Sequence, residues 1–462
     1  MALPETFAQF ARTAAEQLRW KKARPLVEDE LLTHLCDQRE TLMAQGMDET
    51  IATAESLRLT GDPYEIGTAL DRVHRPKTPT ALFVLAAVIA LSGLAFTALV
   101  SAGDDGIFLT RQCAALLLGT AAMLAAYFLD FTLLGRFALP LALVFHAALV
   151  PLSLLPVGGF SLFRTYVSTR LLLRGLPLLL PLMFALLLYA LRGWRGWGVF
   201  AAFVCLAVQL RFCAAIPSLT DLCFLFLCDG ALLIFCARSG WFGLGRKLEM
   251  LLSILPLAAC IVAGLTLGAL WFSRQLALVL DPYAQIEGRG YRIAMLRELL
   301  QNARLIGQGG AGTYSGPHLA RYGCDGIASL QDHAMTLLVH RCGWLALIAL
   351  AALLSALLIV AFRRCRRQES MLARLVAYSV LLSFGAQTVA YLLCDLTLIP
   401  LGGGAAFPLF TFGLRTLLVN MTQLGFLLST LRTGSVVRDQ DVFAAQLRPK
   451  HRLRVKFTWE KA

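Results

Sequence analysis

Residues 334–361 read AMTLLVHRCGWLALIALAALLSALLIVA. His340 and Arg341 are the basic residues in this run, and it has no acid. About 20 consecutive apolar residues cross the hydrocarbon core of a bilayer as a helix. A barrel strand would alternate apolar and polar side chains, and this run does not. The stretch therefore predicts a membrane helix. Nine more such runs give ten predicted spans: 80–101, 110–129, 137–156, 173–191, 197–214, 219–237, 249–272, 334–361, 371–398 and 408–430. Of the 462 residues 58% are hydrophobic, and the mean hydropathy is +0.67. The expected fold class is all-α, a polytopic membrane protein of about ten transmembrane helices with a small N-terminal helical domain.

The net charge of +13 points to topology rather than to nucleic acid. Arg192 and Arg195 follow the fourth span, and Arg238, Arg246 and Lys247 the sixth. Arg363, Arg364, Arg366 and Arg367 follow the eighth, and RPKHRLRVK (448–456) follows the tenth. Cytoplasmic loops concentrate Lys and Arg, so these positions and both termini are expected in the cytoplasm. The longest loop, 273–333, is then outside. Its six arginines do not overturn this, because long loops cross largely regardless of charge. Twelve cysteines show no C-x-x-C pairing, and Cys205, Cys223, Cys228 and Cys260 read as small buried hydrophobes in apolar runs.

Residues 1–78 are polar, mixed in charge and without a signal peptide pattern, so a separate cytoplasmic module is expected. Phe7, Phe10, Ala14 and Leu18 recur at helical spacing, and Val27, Leu31, Leu35 and Leu42 line a second helix that Gly46 stops. Asp48 caps a third helix. Asp62 and Pro63 open a fourth. Glu28, His34 and Asp37 have the spacing of a solvated helix face rather than of a metal site. The organisation read from the sequence is a prefix domain at 1–78, a membrane domain at 79–431 and a basic tail at 432–462.

Asp332 stands at the outer mouth of the eighth span. Taken alone it reads as an N-cap, accepting hydrogen bonds from the free N–H groups of a first helical turn. His340 and Arg341 follow roughly 12–13 Å deeper along a continuous helix. Ionisable groups at that depth face a bundle interior or a wet cavity and pair with something. Arg415 near the outer end of the tenth span and Asp395 near that of the ninth are the expected companions, in a polar cavity that opens outward. A structural ion pair is the alternative.

These residues carry a resemblance. DPYAQIEGRGYR (281–292), IGQGG (306–310), LQDHAMTLLVHRCG (330–343), LIPLGG (398–403) and FPLFTFGLRTLLVNMTQLG (407–425) occur in the order found in the SEDS family of RodA, FtsW and SpoVE. The third segment matches the family's His-Thr-Asp-Phe segment without a gap and places Asp332 on the family's essential aspartate. Thr411 and Asn420 fall on the pattern of the last. Residues 28–76 resemble the helical permease-prefix domain found ahead of some membrane proteins, which reads as an interaction or regulatory module.

The resemblance implies a lipid II polymerase at the outer face of a bacterial cytoplasmic membrane, acting in cell shape, division or sporulation. It implies Asp332 as the catalytic carboxylate and a class B penicillin-binding transpeptidase as partner. His340, Arg341, Thr411, Arg415 and Asn420 are then expected around the substrate. The leaving pyrophosphate needs cationic groups or a divalent metal, magnesium or manganese, and no organic cofactor.

The sequence also departs from the family. A Glu-Glu pair becomes His340-Arg341, and a Gly-Ser pair becomes Leu414-Arg415. The acid-containing motif expected before the fourth span is replaced by basic SLFRTYVSTRLLLRG (161–175). The alternative readings are a catalytically inactive scaffold or regulator of wall synthesis and a transporter of lipid-linked precursors. The clustering of polar groups toward one face counts against transport. Because the prefix module has its own apolar set, deletion of residues 1–75 is predicted to leave the membrane domain folded and monodisperse. Aggregation of the truncated protein in a detergent that suits the full chain would contradict this.

Overall fold

The computed structural model describes residues 5–21, 23–74, 78–101, 106–129, 131–154, 160–162, 165–167, 175–215, 219–285, 290–310, 333–368, 370–399 and 406–433. Calls on 332, on the tail 434–462 and on 400–405 lie outside these residues. The chain divides into two compact units, Met1–Thr78 and Pro79–Ala462.

The first unit holds α1 (Glu5–Glu16), α2 (Arg24–Ala44), α3 (Glu49–Thr60) and α4 (Pro63–His74). Phe7, Phe10 and Leu35 form one apolar cluster, and Ala11, Ala14, Leu18, Val27 and Leu31 form another. Asp48 is the N-cap of α3 and accepts from the Thr50 N–H at 3.2 Å. Hydrogen bonds from the Thr50 hydroxyl and then its backbone hold the Asp48 carboxyl below its usual range. Asp62 accepts from the Tyr64 N–H at 3.3 Å at the start of α4. Arg39, 3% exposed, lies 3.4 Å from Glu49 and 5.8 Å from the centre of the Phe7 ring.

The second unit is a helical membrane bundle. Its elements are α5 (Thr80–Val100), α6 (Ile107–Phe128), α7 (Phe131–Arg136), α8 (Ala138–Leu152), a hairpin of β1 (Phe160–Leu162) and β2 (Thr165–Val167), α9 (Leu176–Ala190), α10 (Arg195–Ala215), α11 (Leu219–Ser239), α12 (Arg246–Leu280), α13 (Tyr291–Gln301), α14 (Ala334–Cys342), α15 (Trp344–Cys365), α16 (Met371–Asp395) and α17 (Leu414–Thr433). Among the described residues seven helices are long and apolar enough to cross a membrane, and α8 and α9 are shorter apolar helices. With α17, a 20-residue helix that carries Arg415 and Arg432, they match the ten expected spans.

Three boundaries differ. The seventh helix runs 35 residues, to Leu280. The tenth starts at Leu414 rather than 408. The eighth span is two helices, α14 and α15, separated at Gly343.

α16 is central and packs on α9, α11, α14, α15 and α17, while α17 lies along α6. α9 is buried from Pro177 to Tyr189 apart from Leu179. Its apolar character all round is what a helix enclosed by neighbours requires. The α6–α17 approach depends on Gly425. A Cβ there would lie 2.3 Å from the Met123 carbonyl oxygen, a backbone atom that cannot rotate away. The cysteine reading is corrected in part: Cys228 is buried, but Cys223 and Cys260 are exposed on the bundle's apolar surface. Short runs on lipid-facing helix sides look the same in sequence as buried ones.

Candidate functional site

The nine-residue helix α14 directly follows Asp332 and His333 in the chain. The first turn of any helix has N–H groups without intrahelical acceptors. In α14 these are supplied by the end of α16. The Thr336 N–H donates to Asp395 Oδ2 at 2.8 Å, and the Ala334 N–H donates to the Tyr391 hydroxyl at 2.9 Å. The Thr336 hydroxyl donates to the Asp395 carbonyl at 2.8 Å. His333 Nδ1 lies 3.0 Å from Asp395 Oδ1. Asp395, the last residue of α16, is 2% exposed. The N-cap position falls on His333, which makes no side-chain cap bond. The capping carboxylate expected at 332 is thus supplied from a second helix, and Asp332 itself lies outside the described residues.

The other end of α14 is the break at Gly343. Backbone groups freed at such a junction and buried in the protein need partners. The segment 304–309 does this with its own backbone. The Trp344 N–H donates to the Arg304 carbonyl at 3.1 Å and the Leu345 N–H to the Leu305 carbonyl at 3.2 Å. In return the Gly307 N–H donates to the Cys342 carbonyl at 3.0 Å and the Gly309 N–H to the His340 carbonyl at 2.7 Å. Gly343 has φ +97°, and a Cβ there would lie 2.5 Å from the Leu305 carbonyl oxygen. The segment 304–309 therefore satisfies both helix ends at the junction of α14 and α15.

This geometry relocates the expected site residues. His340 Nε2 lies 3.1 Å from the Gly310 carbonyl, which can only accept, so the ring carries its proton on Nε2. Arg341 is exposed in the last turn of α14. Cations there suit the helix dipole. Arg415 is exposed at the start of α17, and its backbone lies 3.8 Å from a Cβ built on Gly175. Thr411 is buried and donates to the Phe407 carbonyl at 3.1 Å. Asn420 is 1% exposed and exchanges two 3.3 Å hydrogen bonds with Gln387.

Among the described residues, no hydrogen bond or ion pair joins Asp395 to His340, Arg341 or Arg415. The Asp395 carboxylate is taken by His333 and Thr336, and no arginine among the described residues pairs with it.

Sequence reasoning missed other buried polar groups. Gln387 also donates to Ser383 at 2.9 Å, Ser383 donates to Gln423 at 3.4 Å, and Gln423 donates to the Leu178 carbonyl. His146 Nδ1 lies 2.7 Å from the Ala142 carbonyl, and its Nε2 lies 2.8 Å from Gln209 Nε2. Asp229 in α11 is fully buried, with no hydrogen-bond partner to either carboxyl oxygen. An acid within an apolar run was the available signal. Among the described residues no three His, Cys, Asp or Glu side chains converge to hold a metal.

No protein-family model matches the sequence, and no curated protein matches it. Solved structures do. A peptidoglycan synthase complex, described as coordinating polymerization and crosslinking, is similar with a TM-score of 0.56 and 21% identity, over 77% of this chain and 98% of that chain. The chain has a SEDS-type fold. Two structures of the rod shape determining protein RodA of Thermus thermophilus, one of a point mutant and one without the substitution, are also similar. They have a TM-score of 0.49, at 21% and 20% identity, over 77% of this chain and 98% and 97% of theirs.

Within this SEDS-type fold, Asp395 ties the start of α14 to α16. Its replacement by alanine leaves buried donors without acceptors, at a cost of roughly 1–3 kcal/mol for each. Asp395→Ala is expected to lower the unfolding temperature in detergent clearly, and Asp395→Asn, which keeps an acceptor for Thr336, to lower it less. Equal unfolding temperatures for all three proteins would contradict the assignment.

Proposed function

We propose that this protein polymerises lipid II at the outer face of the cytoplasmic membrane, with Asp332 as general base. The 4-hydroxyl oxygen of one disaccharide attacks the anomeric carbon of another. The new glycosidic bond forms as the bond from that carbon to the pyrophosphate oxygen breaks. Undecaprenyl pyrophosphate leaves with the electron pair, and the hydroxyl proton passes to Asp332. A positioned base of this kind contributes about 10²–10⁴-fold.

The observation that carries the reading is the fixing of α14 at both ends, immediately after Asp332, by Asp395 on one side and by 304–309 on the other. Such anchoring is what a residue needs to be held within reach of a reacting hydroxyl. The likeness to a peptidoglycan synthase complex supports a role in wall synthesis. It also supports a crosslinking transpeptidase as partner. Arg341 and Arg415, both exposed, are the described candidates for the pyrophosphate, because a guanidinium offers two parallel donors to phosphate. The positive-inside distribution of arginines supports cytoplasmic termini.

A second reading has its own observation. His340, Thr411 and Asn420 make hydrogen bonds within the protein, as they would in a scaffold that had lost substrate contacts.

The test is polymerisation of purified lipid II by the reconstituted protein with a class B transpeptidase and magnesium. Glycan strands from the native protein, and a loss of about 100-fold or more in Asp332→Asn, are the expected result. No strands from either folded protein, with an active SEDS control in the same lipids, would favour the scaffold.

A further inference from the structure

A groove of about 720 Å³ opens on the bundle surface between α11, α15 and α16, away from α14. Its inner wall is aromatic. The Tyr378 ring lies 4.9 Å from Phe235, edge to face, and 6.0 Å from Phe362. Leu358, Ile359 and Leu382 extend the wall toward the middle of the bundle, and Arg363 and Arg366 line the end where α15 finishes. From Leu358 to Arg366 is about 12 Å along a helix. One leaflet of hydrocarbon is about 15 Å deep. The groove therefore has the length of an acyl chain and a basic end at the level of a headgroup.

The charge is specific to that end. Ile359, Phe362, Arg363 and Arg366 recur at the spacing of one helix face. Both arginines are exposed, and no carboxylate among the described residues pairs with either. Residues 363–374 contain five arginines and one acid, Glu369, which lies outside the described residues. Two guanidinium groups on one face repel each other unless an anion lies between them. Four arginines at the end of α15 also mark it as the cytoplasmic end, where the leaflet is rich in anionic lipid.

We propose that this groove is a binding site for an anionic diacyl phospholipid of the cytoplasmic leaflet. Its phosphate is held by Arg363 and Arg366, and one acyl chain lies against Phe235, Tyr378 and Phe362. The site is independent of the polymerase reading, since it shares no residue with α14 or its clamps.

The test uses the full-length protein in detergent, with phosphatidylglycerol and phosphatidylcholine offered together and retained lipid measured by native mass spectrometry. The native protein is expected to retain phosphatidylglycerol preferentially. In the double variant Arg363→Gln/Arg366→Gln that preference is expected to fall by roughly tenfold or more. Arg364→Gln/Arg367→Gln, which changes the two neighbouring arginines outside the groove, is expected to keep it. Leu358→Trp, which fills the groove without altering charge, is expected to lose it. Three results would overturn the proposal: unchanged preference in Arg363→Gln/Arg366→Gln, an equal loss in Arg364→Gln/Arg367→Gln, or displacement of the lipid by millimolar inorganic phosphate. Unfolding temperatures close to the native value establish that each variant is folded.

Discussion

Where one helix ends and another begins inside a packed bundle, the freed backbone N–H and C=O groups need partners. At Gly343 that constraint shapes the rest of the site. Four backbone hydrogen bonds from 304–309 close over the break. They fix segment 304–309 against the bundle and end α14 after nine residues. A glycine is required there for two reasons at once. The residue adopts a left-handed φ, and the Leu305 carbonyl occupies the space a side chain would take. Segment 304–309 and the two helices α14 and α15 are consequently held together.

The second anchor is electrostatic. Asp395 closes α16 and at the same time accepts from the first turn of α14. A carboxylate at a helix N-terminus is favoured by the helix dipole, and a buried one needs several donors to offset its lost hydration. His333 and Thr336 supply them. The apolar bundle can therefore hold an acid at this depth without an arginine. Arg341 and Arg415 are exposed.

The bundle was legible because membrane spans announce themselves by length and hydropathy. All ten expected spans have helices, and the caps at Asp48 and Asp62 are local signals that tertiary context left alone. The break at Gly343 was not legible. A glycine inside a long apolar run is common in membrane helices, and its left-handed φ depends on partners about 40 residues earlier in the chain. The same holds for Asp395. Its position at a span end was visible, but its partners depend on how α14 and α16 pack. Thr411 and Asn420 stood out only through the family pattern, and their hydrogen bonds turn inward. Gln387, Ser383 and Gln423 form their ladder between two helices joined by a segment with no periodicity of its own. Pairing within the region required three-dimensional neighbours.

The account turns on α14 being held at both ends. Amide hydrogen exchange measures that directly, since local opening is read residue by residue. In the reconstituted protein, the amides of Thr336, Trp344 and Leu345 are predicted to exchange as slowly as those in the middle of α16. In Asp395→Ala, exchange at Ala334 to Leu337 should rise while Trp344 and Leu345 stay protected by the 304–309 segment. Exchange at Thr336 and Trp344 as fast as at exposed amides without a hydrogen-bond acceptor would contradict the account.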